Sequence, residues 1–103
     1  MTGFGDLMRQ AQEMRDRLQK LQDELGGMTV EGSAGGGMVV AVANGRQELL
    51  SVRIEKEVVS PVDVGMLQDL VLAAVNDALS RARALAAAEM AKATGGMIPP
   101  GLL

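Results

Sequence analysis

The sequence contains no cysteine, histidine, tryptophan or tyrosine, and Phe4 is its only aromatic residue. Without cysteine, the chain has no disulfide, no thiolate metal ligand and no cysteine nucleophile. Without histidine, acid–base catalysis near neutral pH would need a retuned carboxylate or lysine. A single aromatic residue also disfavours recognition of single-stranded nucleic acid by base stacking. No cluster of acidic residues has metal-ligand spacing, so we expect no enzyme, no metal and no cofactor.

Long apolar runs are also absent from the sequence. No stretch reaches the roughly 18 apolar residues of a membrane span, and the N-terminus lacks the features of a signal peptide, so we expect a cytoplasmic protein. The 103 residues, 48% of them hydrophobic, fit one globular domain over residues 1–103. The net charge of −3 argues against a uniformly basic nucleic-acid binder.

The first helix is indicated by an apolar seam with alternating spacings of four and three residues. Its positions are Leu7, Ala11, Met14, Leu18, Leu21 and Leu25. The seam predicts a helix over residues 6–25, about 30 Å long, that starts at Asp6 and ends at Gly26-Gly27 in a left-handed C-cap. A stripe of two positions in seven is typical of a helix that meets other helices. Because the strands that follow are short, we expect a second copy of the chain to cover the seam in a homodimer.

Three strands are predicted after this helix, over residues 28–32, 38–43 and 47–56. The glycine-rich residues 32–37 are predicted to form a turn, since no lysine and no helix follow them as in a phosphate-binding loop. Asn44-Gly45 predicts a type I′ hairpin. In the third strand, Leu50, Val52 and Ile54 lie on one face, and Ser51, Arg53 and Glu55 lie on the other.

A second helix is predicted over residues 64–93, with Asp63 as its N-cap and Gly95-Gly96 as its end. Its apolar stripe is wider than the first helix's seam, which suits contact with a sheet and with another helix. Its residues predicted to join the seam in the dimer interface are Leu67, Leu70, Ala74 and Ala78. Residues 95–103 are predicted to be an apolar tail. The chain is therefore predicted to be an α+β protein of order αβββα with a three-stranded antiparallel sheet.

Four segments and the tail resemble a known family. They are residues 7–12 (LMRQAQ), 31–39 (EGSAGGGMV), 44–45 (NG), 69–78 (DLVLAAVNDA) and the GGM…PG tail. In this order and spacing they resemble the YbaB/EbfC family of bacterial nucleoid-associated proteins over residues 4–102. The resemblance implies an intertwined αβββα homodimer whose helices protrude as two arms, with double-stranded DNA as its partner. It also implies a nucleoid location and a role in chromosome organisation, gene expression or repair.

The cations of both helices are the candidates for contact with DNA phosphates. They are Arg9, Arg15, Arg17, Lys20, Arg81, Arg83 and Lys92. An open alternative is that most of them form ion pairs within their own helix. The pairs with favourable spacing are Asp6–Arg9, Glu13–Arg17, Asp16–Lys20, Asp77–Arg81 and Glu89–Lys92. Only Arg15 and Arg83 have no acidic residue three or four positions away. Arg15 is the leading candidate on the first helix, and the alternative for it is contact with a partner helix, because it lies on the flank of the seam.

The favoured hypothesis is a non-enzymatic homodimer that binds the backbone of duplex DNA. Sequence preference is expected to be weak, because no cluster of asparagine and arginine suggests a base-reading helix. The competing hypothesis is an acidic homodimeric protein-interaction module that does not bind DNA directly. The net charge of −3 and the spacing of the ion pairs favour it. An enzyme is the third class, and it would need a deep pocket with a perturbed carboxylate. No membrane and no small-molecule substrate are expected.

Overall fold

The computed structural model describes residues 3–95, which form two long helices and one sheet. The elements are α1 (Gly3–Leu25), β1 (Thr29–Ala34), β2 (Val39–Asn44), β3 (Leu49–Ile54), a 3-10 turn (Lys56–Val58) and α2 (Val64–Ala93). This order confirms the predicted αβββα fold class. The molecule is elongated, measuring 74 × 22 × 17 Å, because both helices are much longer than the strands. Apart from Gly95, the predicted tail over residues 95–103 lies outside the described residues.

The core lies between one face of the sheet and α2. The sheet is antiparallel with strand order β1-β2-β3, so β2 is central. Val39, Ala41 and Ala43 alternate along β2 and are fully buried, as expected when one face of a strand packs against a helix. They form one cluster with residues of α2. The core is therefore built around β2, the central strand.

Gly32 lets α2 approach the sheet at backbone distance. A Cβ atom added at Gly32 would lie 2.6 Å from the carbonyl oxygen of Ala74 and 2.7 Å from the Cα of Ala78. It would lie closer still to the backbone nitrogen of Ala78. Ala74, Ala78 and Ala82 follow one another at intervals of four and are fully buried. The helix and the sheet therefore meet through small residues on both sides.

The glycine-rich turn is shorter than predicted. The prediction ended the first strand at residue 32, but β1 continues to Ala34, which pairs with Val39. The turn is left to the three glycines of residues 35–37, whose φ angles of 64°, 68° and 94° lie in the left-handed region that favours glycine. The prediction was wrong for Ser33 and Ala34, which remain within the strand. Gly32, the last residue of the predicted strand, serves the contact with α2.

The hairpin between β2 and β3 is not the predicted type I′ turn. Gln47, with φ of 62°, has the left-handed conformation in this loop, and Gly45 does not. The backbone amide of Gln47 donates to the carbonyl oxygen of Asn44 at 2.9 Å. The backbone amide of Asn44 donates to the carbonyl oxygen of Glu48 at 3.0 Å. This is a three-residue loop, and a bulge follows in the β2–β3 pairing. A glycine is required at position 45 for another reason: an added Cβ atom would lie 2.7 Å from Cδ2 of Leu25.

Asn44 is buried and joins this hairpin to the end of α1. Its Nδ2 donates to the carbonyl oxygen of Gly26 at 3.3 Å and to Oε1 of Glu48 at 2.8 Å. Its Oδ1 accepts from the amides of Arg46 at 3.0 Å and Glu48 at 3.1 Å. The side chain thus uses its donor and acceptor atoms in full, and the C-terminal end of α1 is held by the hairpin.

β3 is shorter than predicted and exposed on both faces within the chain. The prediction covered residues 47–56, whereas the strand spans Leu49–Ile54, because the loop and the 3-10 turn take the flanking residues. All six strand residues are exposed. The apolar face formed by Leu50, Val52 and Ile54 is therefore left largely uncovered within the single chain. α2 lies mainly over β1 and β2 and covers little of β3.

The bounds of α2 agree with the prediction. The helix spans Val64–Ala93, and the Asp63 carboxylate accepts from the amide of Met66 at 3.1 Å as an N-cap. Gly95 follows the helix with φ of 65°, the left-handed conformation that often ends helices.

The bounds of α1 agree with the prediction only at its C-terminal end. The helix ends at Leu25 as predicted, but it begins at Gly3, so Asp6 lies inside the first turn. Gly26 and Gly27 do not have the predicted left-handed conformation. The helix ends instead through tight turns, in which the amide of Gly27 donates to the carbonyl oxygen of Glu24 at 3.0 Å.

Candidate nucleic-acid interface

α1 stands away from the sheet, and nearly all of its surface faces solvent. Of its 23 residues, only Leu21 and Leu25 are buried. The helix packs on the rest of the chain chiefly through α2. It therefore presents most of its polar side chains, and most of its apolar seam, as free surface.

Three cations of α1 have no carboxylate partner. Within residues 3–95, no carboxylate oxygen lies within the 4.0 Å limit of an ion pair from Arg15, Arg17 or Lys20. The predicted pairs with Glu13 and Asp16 are not formed. An exposed helical pair gains only about 0.3–0.5 kcal/mol, which barely offsets the entropy of holding two long side chains in place. These three cations are therefore available to an anionic partner.

The other predicted ion pairs are present. They are Arg9–Asp6 at 3.0 Å, Arg81–Asp77 at 3.3 Å and Lys92–Glu89 at 3.1 Å. The cationic side chains of these pairs are 62–73% exposed. Asp77 also accepts from the amide of Ser33 at the open edge of β1, at 3.1 Å. Because exposed pairs contribute less than about 1 kcal/mol, a polyanion can still compete for these cations.

Arg83 has no carboxylate partner in the described part of the chain and borders a cleft beside the hairpin. The cleft is lined by Gln47, Arg83, Ala86, Ala87 and Met90. Arg46 precedes Gln47 at the tip of the hairpin, lies 3.8 Å from Glu48 and has a side chain that is 48% exposed. The fold thus brings Arg46 to the same end of the molecule as Arg83. Arg46 is not among the cations predicted from the sequence, since only the three-dimensional packing places the hairpin beside α2.

The seam predicted on α1 has two different parts in the structure. Leu21 and Leu25 are buried within the chain, and Leu25 packs against Gly45. The four positions before them, Leu7, Ala11, Met14 and Leu18, remain exposed or half-buried. Leu7 is 61% exposed and Met14 40%. The N-terminal part of the seam is the part left for another molecule to cover.

The four α2 residues predicted for the dimer interface are also divided. Ala74 and Ala78 have no exposed surface, because the sheet of the same chain covers them. They therefore cannot contact a second subunit in this fold, and their predicted place in the dimer interface is wrong. Leu67 and Leu70 are half-buried beside the core. Leu67 also lines an apolar groove between α2 and β3. The groove residues are Ile54, Leu67, Gln68, Val71, Leu72 and Val75.

Other kinds of site find no support within residues 3–95. No group of three or more acidic side chains there is placed to hold a metal ion. None of the helices in this range combines the length and the apolar character needed to cross a membrane.

The fold and these surfaces define a small α+β protein with an exposed helical arm, free cations on both long helices and an uncovered apolar seam. The chain belongs to the YbaB/EbfC DNA-binding family, whose profile matches residues 1–97. It is 57% identical over 99 residues to a nucleoid-associated protein of Caldanaerobacter subterraneus subsp. tengcongensis, covering 96% of this chain and 89% of the relative. It is 53% identical over 95 residues to a nucleoid-associated protein of Syntrophobacter fumaroxidans, covering 92% and 86%. The family predicted from the sequence motifs is confirmed.

A solved structure has the same fold. A crystal structure of a protein from Helicobacter pylori superposes with a TM-score of 0.71 at 23% identity. The match covers 80% of this chain and 86% of that one. It supports the αβββα architecture.

Proposed function

We propose that this protein is a nucleoid-associated, non-catalytic homodimer that binds the backbone of duplex DNA with weak sequence specificity. The observation that carries the proposal is the set of exposed cations on both long helices that have no carboxylate partner within residues 3–95. These are Arg15, Arg17, Lys20 and Arg83. Membership of a DNA-binding family and the names of the relatives support it. A role in chromosome organisation, gene expression or repair fits such binding.

The mechanism is neutralisation of phosphates by cations displayed on helices. Each cation that contacts a phosphate releases condensed counterions, which drives binding without reading the sequence. The free cations can contact phosphates at once. The paired cations, Arg9, Arg81 and Lys92, can exchange a carboxylate for a phosphate oxygen at little cost. The net charge of −3 is therefore compatible with DNA binding, since it is the local surface of the helices that meets the duplex.

The homodimer is supported by apolar surface that the single chain leaves open. The exposed part of the seam, with Leu7 and Met14, adjoins solvent over most of α1. Ile54 and Leu72 lie at a second apolar surface, the groove between β3 and α2. Contiguous apolar surface of this kind is typical of an interface between subunits. A second copy of the chain offers the same surfaces in return, as an interface with two-fold symmetry requires.

Substitution Met14→Glu is expected to weaken the dimer by about 100-fold or more. The side chain lies on the exposed part of the seam, so both copies would place a carboxylate in the interface in place of a buried apolar group. The measurement is the dimer dissociation constant by sedimentation equilibrium. Gln12→Glu is the matched control, because it adds the same charge to an exposed position of the same helix, about 140° around from the midline of the seam. Equal dissociation constants for the two variants would contradict the proposed interface.

Charge reversal of the free arginines is expected to weaken duplex binding at low salt. We expect Arg15→Glu and Arg83→Glu each to raise the dissociation constant by at least about tenfold, since each removes a phosphate contact in both subunits and adds repulsion. The measurement is fluorescence anisotropy with a labelled duplex. Arg53→Glu is the control: Arg53 is 69% exposed and lies on β3, so the same charge change falls outside the proposed interface.

The outcomes separate the proposal from its alternative. If the wild-type protein does not bind duplex DNA at low salt, the DNA function is wrong and the protein-interaction hypothesis takes its place. If it binds but all three arginine variants lose affinity equally, DNA binding stands and the assignment of Arg15 and Arg83 is wrong.

A further inference from the structure

A row of three glutamines and one arginine runs along α1 beside the apolar seam. Its members are Gln12, Arg15, Gln19 and Gln22, at spacings of three, four and three, and all are exposed. At 100° per residue this row lies about 100° around the helix from the midline of the seam. We refer to these four residues as the glutamine stripe. It spans about 15 Å along the helix.

The charge pattern of α1 sets the stripe apart from the rest of the helix. The acidic residues of α1 gather on the face opposite the seam; they are Asp6, Glu13, Asp16, Asp23 and Glu24. The stripe contains no acidic residue, and its single charge is that of Arg15, which has no carboxylate partner in the described part of the chain. Gln12 and Arg15 also line one shallow depression with Met8 and Ala11. Arg15, at the centre of the stripe, has no acidic residue three or four positions away. Asp16 and Asp23 stand at those spacings from Gln12 and Gln19, on the side of the stripe away from the seam, so an anion along the stripe meets a cation and neutral donors, with carboxylates only at its outer edge.

We infer that the glutamine stripe lies on the sugar–phosphate backbone of the duplex, with Arg15 at its centre. The inference rests on the proposed DNA binding and adds the surface that makes the contact. The carboxamide NH₂ group of glutamine donates hydrogen bonds to phosphate oxygens, as is common in protein–DNA interfaces. A neutral donor displaces no counterion, so its contribution does not depend on salt, whereas that of Arg15 does.

This difference allows a sharp test. Dissociation constants for a labelled duplex are measured between about 50 and 200 mM salt for the wild type, Gln12→Ala/Gln19→Ala and Gln10→Ala. The double variant is expected to bind about tenfold more weakly, because two hydrogen bonds are lost in each subunit. Its plot of log K against log salt should run parallel to the wild type's. Gln10 lies outside the stripe, so Gln10→Ala is expected to change affinity by less than about twofold. Alanine is a stronger helix former than glutamine, so the helix is retained.

A structural effect and a backbone contact give different results. Each variant is measured by sedimentation, and an unchanged dimer with lower affinity supports the stripe. The loss should be equal on two duplexes of unrelated sequence, and a loss on only one of them would overturn the backbone assignment in favour of base contacts. Unchanged affinity of the double variant, with a wild type that binds, would overturn the stripe and leave the proposed function intact. A wild type that does not bind would overturn the proposed function itself.

Discussion

Replacing Gly32 with alanine is expected to lower the free energy of unfolding by about 3–5 kcal/mol, a large part of the stability of a small domain. The added Cβ would lie 2.6 Å from the carbonyl oxygen of Ala74 and 2.7 Å from the Cα of Ala78. Both are backbone atoms, so no side-chain rotation relieves the clash. α2 would have to move away from β1 and β2, which opens the core along Val39 and Ala41.

The measurement is a urea titration followed by circular dichroism. Gly65→Ala is the matched control, because Gly65 lies in α2 with nothing within 4 Å of an added Cβ. The control is expected to be neutral or stabilising by up to about 1 kcal/mol, as for glycine to alanine within a helix. Adding Ala78→Gly to Gly32→Ala should not restore stability, since the clash involves the backbone of residue 78. An unchanged midpoint for Gly32→Ala would contradict the close packing.

The affinity for duplex DNA is expected to fall by about 10² to 10⁴ between 50 and 200 mM salt. This range follows from about four to eight phosphates neutralised per dimer, with a slope of about 0.9 per phosphate in log K against log salt. The free cations, two copies each of Arg15, Arg17, Lys20 and Arg83, supply enough contacts for this slope.

The same titration on Arg15→Glu/Arg83→Glu gives the share of these two residues. Four phosphate contacts are lost per dimer, so the slope should become shallower by about 3.6. Thermal unfolding of the wild type over the same salt range is the control, since a change in stability would alter affinity by itself. A wild-type affinity that does not vary with salt would show that phosphate neutralisation does not drive binding.

Local sequence signals predicted the helices well, because their cause is local. Asp63 caps the amide of Met66, and Gly95 ends α2, within one turn of the helix in each case. The seam positions gave the C-terminal end of α1 correctly for the same reason. The order of elements also followed from periodicity, and the family followed from motifs in their spacing.

The errors concern residues whose role is set by a distant part of the chain. Gly32 was predicted at the junction of the first strand and the glycine-rich turn, yet it is a contact point for a helix more than forty residues later. Asn44-Gly45 is a sequence signal for a tight hairpin, but Gly45 is in close contact with Leu25, which leaves no space for a side chain there. The apolar residues of β3 share one face of the strand, and the sequence does not show that α2 covers little of that face within the chain.

The cations of the two helices were predicted from the sequence as the candidate site, but which of them form ion pairs was predicted only in part. Arg15 and Arg83 have no acidic neighbours at helical spacing, and the structure leaves both without a carboxylate partner. Arg17 and Lys20 were candidates for pairs that do not form, because exposed pairs are too weak to be read from spacing alone. Arg46 could not have been placed from the sequence, since its position depends on how the hairpin meets α2.

The hydrogen bonds of Asn44 have a mechanical consequence for the arm. α1 is 23 residues long, about 34 Å, and its C-terminal end is attached to the hairpin through the carbonyl oxygen of Gly26. A tilt of about 10° at that attachment would move the far end of the helix by about 6 Å, comparable with one full turn. The direction in which α1 points therefore depends on the geometry of its C-terminal attachment. The buried side-chain amide of Asn44 helps to fix that geometry, although it lies far from the exposed surface of the helix.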